Sequence, residues 1–217
     1  MGTEQNNRNT ALALAVPVIG ILRGIEGGFF GEVMDAAFGA GLQAIEVTLN
    51  TPGAERMVAA NRPRVPAGRL LGMGTVRNPE EARRALAAGA MFLVTPNLDP
   101  EVIGLAIEAG VPVVAGALTP TEVYAAWQAG AALIKVFPCG PVGGPRYIRE
   151  LRGPFDHIPL AAVGGVSIEN LRDYFAAGAT AVGVGASLFG KEALAGRNLP
   201  EIAAHVKKFI EHCRSFD

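Results

Sequence analysis

Two ionisable residues stand inside short runs that are otherwise apolar. Lys135 interrupts Ala131-Ala132-Leu133-Ile134-Lys135-Val136-Phe137-Pro138, and Glu46 sits between Ile45 and Val47. Both runs favour extended backbone and read as buried strands. Burying an ammonium or a carboxylate without a partner is costly, so each group should be paired or change its protonation. A desolvated lysine that has given up its proton is a nucleophilic amine, able to form a Schiff base with a carbonyl compound. A carboxyl group raised by burial beside it could relay protons. The plainer alternative is a structural ion pair at the centre of the fold, and these two runs alone leave both readings open.

Other candidates fall just after apolar runs. Arg23, in Leu22-Arg23-Gly24, could grip a carboxylate or phosphate with its planar fork, or be an ordinary surface arginine. Thr75, after Gly72-Met73-Gly74, could offer a hydroxyl and a backbone N–H to an anion, or simply fill a strand. Gly164-Gly165 and Gly185-Ala186-Ser187 are more telling together than singly, because small residues let backbone N–H groups approach an anion. Alone, each is a tight turn. Gly183-x-Gly185 lacks the remaining glycine of a dinucleotide fingerprint and comes late in the chain. Pro96 and Phe137, at the ends of their runs, complete the binding candidates. His157, His205 and His212 do not cluster with carboxylates or cysteines at metal-ligand spacing, so no metal site is expected. Cys139 reads as a small apolar residue.

These residues need a scaffold, and a repeated unit supplies it. A helix end rich in small residues closes on glycine and runs into an apolar strand at Gly41, Gly89, Gly110, Gly130 and Gly178. The spacing is that of βα units, with degenerate copies where it doubles. Asn78-Pro79, Asp99-Pro100 and Thr119-Pro120 each put a capping side chain before a proline suited to the first helical position. Ser167-Ile168-Glu169-Asn170 is expected to start a helix in the same way. Eight strands are predicted, at 17–22, 43–49, 70–75, 91–95, 112–116, 132–137, 159–163 and 181–185, with a short lead-in helix before the first. Strict alternation implies a parallel sheet covered by helices, and eight units imply a single-domain (β/α)8 TIM barrel spanning residues 1–217; an open doubly wound sheet is the alternative. In a barrel every candidate above lies at the C-terminal rim, where such folds carry function.

Composition narrows the class. Half of the 217 residues are hydrophobic and 18% are charged, a balance that suggests additional surface buried in an oligomer. A net charge of -1 gives no reason to expect nucleic acid or an anionic membrane as a partner. Cys139 and Cys213 are too few for a disulfide framework, which fits a reducing cytoplasm. Residues 10–22 could pass for a signal-peptide core, but Glu4 and Arg8 precede them and no small-residue cleavage site follows. The longest uncharged stretch, Tyr174 to Gly190, is interrupted by glycines and is not expected to span a membrane.

Ile21-Leu22-Arg23-Gly24, Glu46-Val47-Thr48-Leu49-Asn50-Thr51-Pro52, Gly74-Thr75-Val76, Val94-Thr95-Pro96-Asn97, Ile134-Lys135-Val136-Phe137-Pro138 and Val163-Gly164-Gly165-Val166 together resemble the class I 2-keto-3-deoxy-6-phosphogluconate (KDPG) and 4-hydroxy-2-oxoglutarate (KHG) aldolase family. The resemblance covers roughly residues 17 to 190. It implies a homotrimer acting on a 2-keto-3-deoxy sugar acid phosphate, with no metal or other cofactor. It implies Lys135 as the Schiff-base residue, Glu46 as the proton carrier, Thr75 near the pyruvyl carboxylate, and the Gly-Gly and Gly-x-Ser loops as the phosphate site. Two positions depart from the gluconate-type pattern. Asn50 stands where those enzymes have an arginine, and Val163 where they have a threonine. With Leu22-Arg23-Gly24, Thr95-Pro96-Asn97 and Gly144-Pro145-Arg146-Tyr147-Ile148, these features look more like the branch acting on 2-dehydro-3-deoxy-6-phosphogalactonate, in which Arg23 could take part in substrate binding. The alternatives are gluconate or hydroxyoxoglutarate cleavage, or a phosphate-binding barrel without aldolase activity.

Overall fold

A computed structural model describes Leu12 and residues 14–214. Eight parallel strands close into a barrel in sequence order: β1 (Val18–Leu22), β2 (Ala44–Thr48), β3 (Leu70–Gly74), β4 (Leu93–Val94), β5 (Val113–Ala117), β6 (Leu133–Val136), β7 (Leu160–Val163) and β8 (Ala181–Val184). The last pairing, of Val18 with Val182, joins the first strand to the eighth. Every predicted strand is present. The fourth is shorter than its apolar run: it starts two residues late, and at its end the Thr95 hydroxyl accepts from Gly116 N at 2.9 Å and donates to the Asn97 carbonyl at 2.6 Å.

Helices α1 (Gly27–Gly39), α2 (Ala54–Asn61), α3 (Pro79–Ala87), α4 (Pro100–Glu108), α5 (Pro120–Gln128), α6 (Pro145–Arg152) and α7 (Leu171–Ala176) cross between successive strands. Two short helices, α8 (Ala186–Phe189) and α9 (Lys191–Ala195), and the long α10 (Leu199–Arg214) follow the barrel. The expected caps hold α3, α4 and α5: Asn78 accepts from Glu81 N, Asp99 from Glu101 N and Val102 N, and Thr119 forms a reciprocal capping box with Glu122. The repeated glycines after the helices all adopt positive φ, the conformation that ends a helix at least cost in glycine. One start differs from expectation. Residues 168–170 form turns, Asn170 accepts from Ser167 N at 2.9 Å, and α7 begins only at Leu171. Without a proline to set the first turn, the Asn170 side chain bonds backward instead. The expected lead-in helix falls largely outside the described residues; residues 14–17 are not helical.

Each strand is buried on both faces, so its sequence is continuously apolar rather than alternating. Outward residues such as Ile45, Val47, Leu71, Met73, Ile134 and Val182 pack in the main core with the helices. Inward residues Ile19, Ala44, Phe92, Val94, Val114, Leu133, Ala161 and Ala181 form a separate cluster within the barrel, closed below by Leu12. Among the described residues no helix is long and apolar enough to cross a membrane.

Candidate active site

Moving two residues along the inward faces changes their character. Ala44 gives way to Glu46, Leu133 to Lys135, Val114 to Gly116 and Ala181 to Gly183. Parallel pairing keeps these in one tier: Ile21 lies beside Glu46, Gly116 beside Lys135, and Val163 beside Gly183. Glycine provides the room. A Cβ at Gly74 would overlap the Glu46 carboxyl group, and one at Gly116 would overlap the Pro96 carbonyl. The apolar strand Val113-Val114-Ala115-Gly116-Ala117 already carried this signal, since a glycine inside a strand marks a close approach of another group.

Glu46 is 1% exposed and Lys135 5% exposed. Each feels the other's charge, yet among the described residues they form no direct ion pair, and Glu46 Oε2 has no hydrogen-bond partner. Burial raises the Glu46 carboxyl from 4.5 to about 7, against the opposing fields of Lys135 and Arg23. Burial also pushes the Lys135 ammonium below its ordinary value; Glu46 resists that shift and Arg23 adds to it. Both groups are therefore biased toward the uncharged forms that covalent amine chemistry and proton relay require. This differs from a closed salt bridge such as that of Arg77, whose exposed guanidinium engages both carboxylate oxygens of the buried Glu81.

Phe137 and Arg23 act directly on this pair. Phe137 places its ring centroid 4.8 Å from Lys135 Nζ, and its other edge borders Gly164. Pro96 lies over Gly116, the neighbour of Lys135 across the β5–β6 pairing. Arg23 donates to Asn50 Oδ1 at 3.1 Å and to Thr75 Oγ1 at 3.3 Å, so Thr75 meets Arg23 directly. Thr75 holds φ at 59°, strained for a β-branched residue. The β7 and β8 loops make a second group. Gly164 and Gly165 have φ of 91° and 86°, Gly140 N donates to the Gly164 carbonyl at 2.8 Å, and Ser187 Oγ donates to the Val166 carbonyl at 3.5 Å. Gly185 instead shares a cavity of about 570 Å³ between β1 and β8 with Arg23, Ile21 and Arg197. Cys139 is buried among apolar groups and its thiol is pushed up to about 11, which suits packing rather than reaction. Among the described residues no three His, Cys, Asp or Glu side chains are grouped to hold a metal ion.

The contacts that Asn50 makes with Arg23, and that Thr51 makes with Gly24 and Thr48, were not foreseen. Thr51 Oγ1 accepts from Gly24 N at 2.9 Å and lies 2.9 Å from Thr48 Oγ1, tying the β1 rim to the β2 loop. Their types fit a loop equally well, so composition carries no signal of this role.

Comparison with known proteins agrees with this fold. Residues 10–205 match the family model described as KDPG and KHG aldolase. The chain is 37% identical over 198 residues to the 2-dehydro-3-deoxy-6-phosphogalactonate aldolase of Escherichia coli, covering 90% of this chain and 96% of that protein. It is 41% identical over 175 residues to a probable 2-dehydro-3-deoxy-6-phosphogalactonate aldolase of Rhizobium meliloti, covering 80% and 82% respectively. A solved structure described as native KDPGal superposes with a TM-score of 0.86 at 34% identity, over 93% of this chain and 96% of that one. A buried lysine and glutamate in the upper tier of a closed barrel thus sit in a chain that belongs to the KDPG and KHG aldolase family.

Proposed function

We propose that this protein is a class I aldolase that cleaves 2-dehydro-3-deoxy-6-phosphogalactonate to pyruvate and D-glyceraldehyde 3-phosphate. The observation that carries the reading is the buried, unbridged pair of Glu46 and Lys135 at the C-terminal mouth of the barrel. The named activity of the two relatives favours the galactonate epimer.

Neutral Lys135 attacks the C2 ketone of the substrate, and Glu46 carries protons as the carbinolamine loses water to form the imine. Glu46 then takes the C4 hydroxyl proton, directly or through a water. The C3–C4 bond breaks, its electrons passing into the protonated imine to leave an enamine, and the aldehyde departs. Reprotonation at C3 and hydrolysis release pyruvate and restore the amine. Arg23 and Thr75 hold the carboxylate end, Pro96 and Phe137 wall the reacting carbons, and Gly164, Gly165, Gly185 and Ser187 take the phosphate. Proton relay accounts for about 10²–10⁴-fold of the acceleration; covalent catalysis and positioning supply the rest. The protein acts in the cytoplasm as a homotrimer, an assembly suited to its apolar composition.

Incubation with pyruvate and borohydride is expected to fix a three-carbon adduct on Lys135, read by peptide mass. An unmodified lysine would reject the Schiff-base mechanism. Side-by-side kcat/KM values for the two phosphorylated C4 epimers test the substrate; a preference for the gluconate form would reject the galactonate assignment.

A further inference from the structure

We infer that Asn50 is a positioning residue, whose uncharged amide fixes the Arg23 guanidinium at the barrel mouth while leaving its charge free for the carboxylate of the keto acid. The inference rests on the aldolase reading and assigns a role to a side chain outside the reacting pair.

An arginine at a strand end has many rotamers, and holding it in one geometry costs side-chain entropy. Here two acceptors from different strand ends hold it, Asn50 Oδ1 after β2 and Thr75 Oγ1 after β3. Both are neutral. The contrast is with Arg77, Arg84, Arg64 and Arg197, which pair with Glu81, Glu55, Asp35 and Glu26. A carboxylate partner would orient Arg23 equally well but cancel its charge, and an anionic substrate would have to displace it. Among the described residues Arg23 forms no ion pair, and the bonds to Asn50 and Thr75 leave further guanidinium N–H groups available.

The surrounding backbone is built to the same end. Gly24 sits at φ 67° and gives its N–H to Thr51, which lies against the buried Thr48. Thr75 is held in its strained conformation by backbone bonds on both sides, from Leu49 N to the Gly74 carbonyl at 2.7 Å and from Val76 N to the Val94 carbonyl at 3.1 Å. Two neighbouring strand ends thus converge on one cation. That cation also acts on both reactive groups, opposing the protonation of Lys135 and favouring ionisation of Glu46. A carboxylate next to the C2 carbon that Lys135 attacks would lie within reach of this field.

Asn50→Asp separates this role from a structural one. Asn50 is exposed, and aspartate keeps the shape and the acceptor while adding a charge. If Asn50 only braced the loop, aspartate would substitute for it. The assay is deuterium exchange into the methyl group of pyruvate, which needs the Schiff base but no phosphate. Asn50→Asp is expected to raise the KM for pyruvate about tenfold, the scale of a charge-assisted hydrogen bond lost, with a smaller change in kcat. In an Arg23→Ala background the same substitution should add about twofold or less. A KM within about twofold of wild type in the Arg23-containing enzyme, or an equal rise with and without Arg23, would overturn the inference. In either case exchange by the wild-type protein leaves the aldolase reading standing. A wild-type protein that neither exchanges nor is trapped by borohydride overturns that reading, and the role of Asn50 with it.

Discussion

The lower and upper tiers of the barrel interior are two residues apart on the same strands, yet their chemistry differs. Below, Ile19, Ala44, Phe92, Val114, Leu133, Ala161 and Ala181 fill the space with hydrocarbon. Above, glycines at 74, 116 and 183 thin the packing, and Glu46 and Lys135 occupy part of the room. The lower tier stabilises the fold through apolar burial. The upper tier costs stability, because both ionisable groups are dehydrated and, among the described residues, form no ion pair with each other. The difference shows how a closed barrel can confine its destabilising groups to one end while the other keeps it folded.

Substitutions can break this division or sharpen it. Lys135→Met should have the largest effect, lowering aldol cleavage by on the order of 10⁴-fold or more and abolishing the borohydride adduct, with the barrel intact by circular dichroism. Glu46→Gln should lower kcat by about 10²–10⁴-fold and remove the limb near pH 7 from the kcat/KM profile. In the lower tier, Leu133→Ala should cost about 2–5 kcal/mol in denaturant unfolding while the remaining folded enzyme keeps its kcat. A large loss of kcat there would erase the distinction between the tiers.

Two finer effects concern the carboxyl group itself. Unfolded Glu46 ionises near its ordinary 4.5, whereas the folded protein holds that proton up to about pH 7. Wild type should therefore lose stability relative to Glu46→Gln as pH rises through this window, by at most about 3 kcal/mol, and the gap should then level off. Unfolding at pH 5 and pH 8 measures it. Gly74→Ala should cost about 1–3 kcal/mol, since the added methyl displaces the carboxyl, and should depress kcat more than KM.

Much of this arrangement was legible before the structure. Continuous apolar strands, glycines after helices and proline-preceded caps each have a local physical cause, so the βα alternation could be read directly. Lys135 and Glu46 stood out because charge inside such runs is expensive. Contacts between loops were not legible. Nothing local to Asn50 or Thr51 reveals that Arg23 and Gly24 lie against them, because that proximity arises from the β1–β2 register. Ser167 resembled a cap, but the choice between capping forward and bonding back depended on how Asn170 settled against the β7 loop, where its amide donates to the Gly165 carbonyl. Phe137 likewise joins the lysine to Gly164 in the loop after β7 only through tertiary packing.

The seam between Val18 and Val182 joins the earliest strand to the latest. As the chain is synthesised, residue 135 emerges well before the seam can be sewn. Until then its amine lacks the burial that lowers its proton affinity in the folded protein. Only the closed barrel dehydrates that amine.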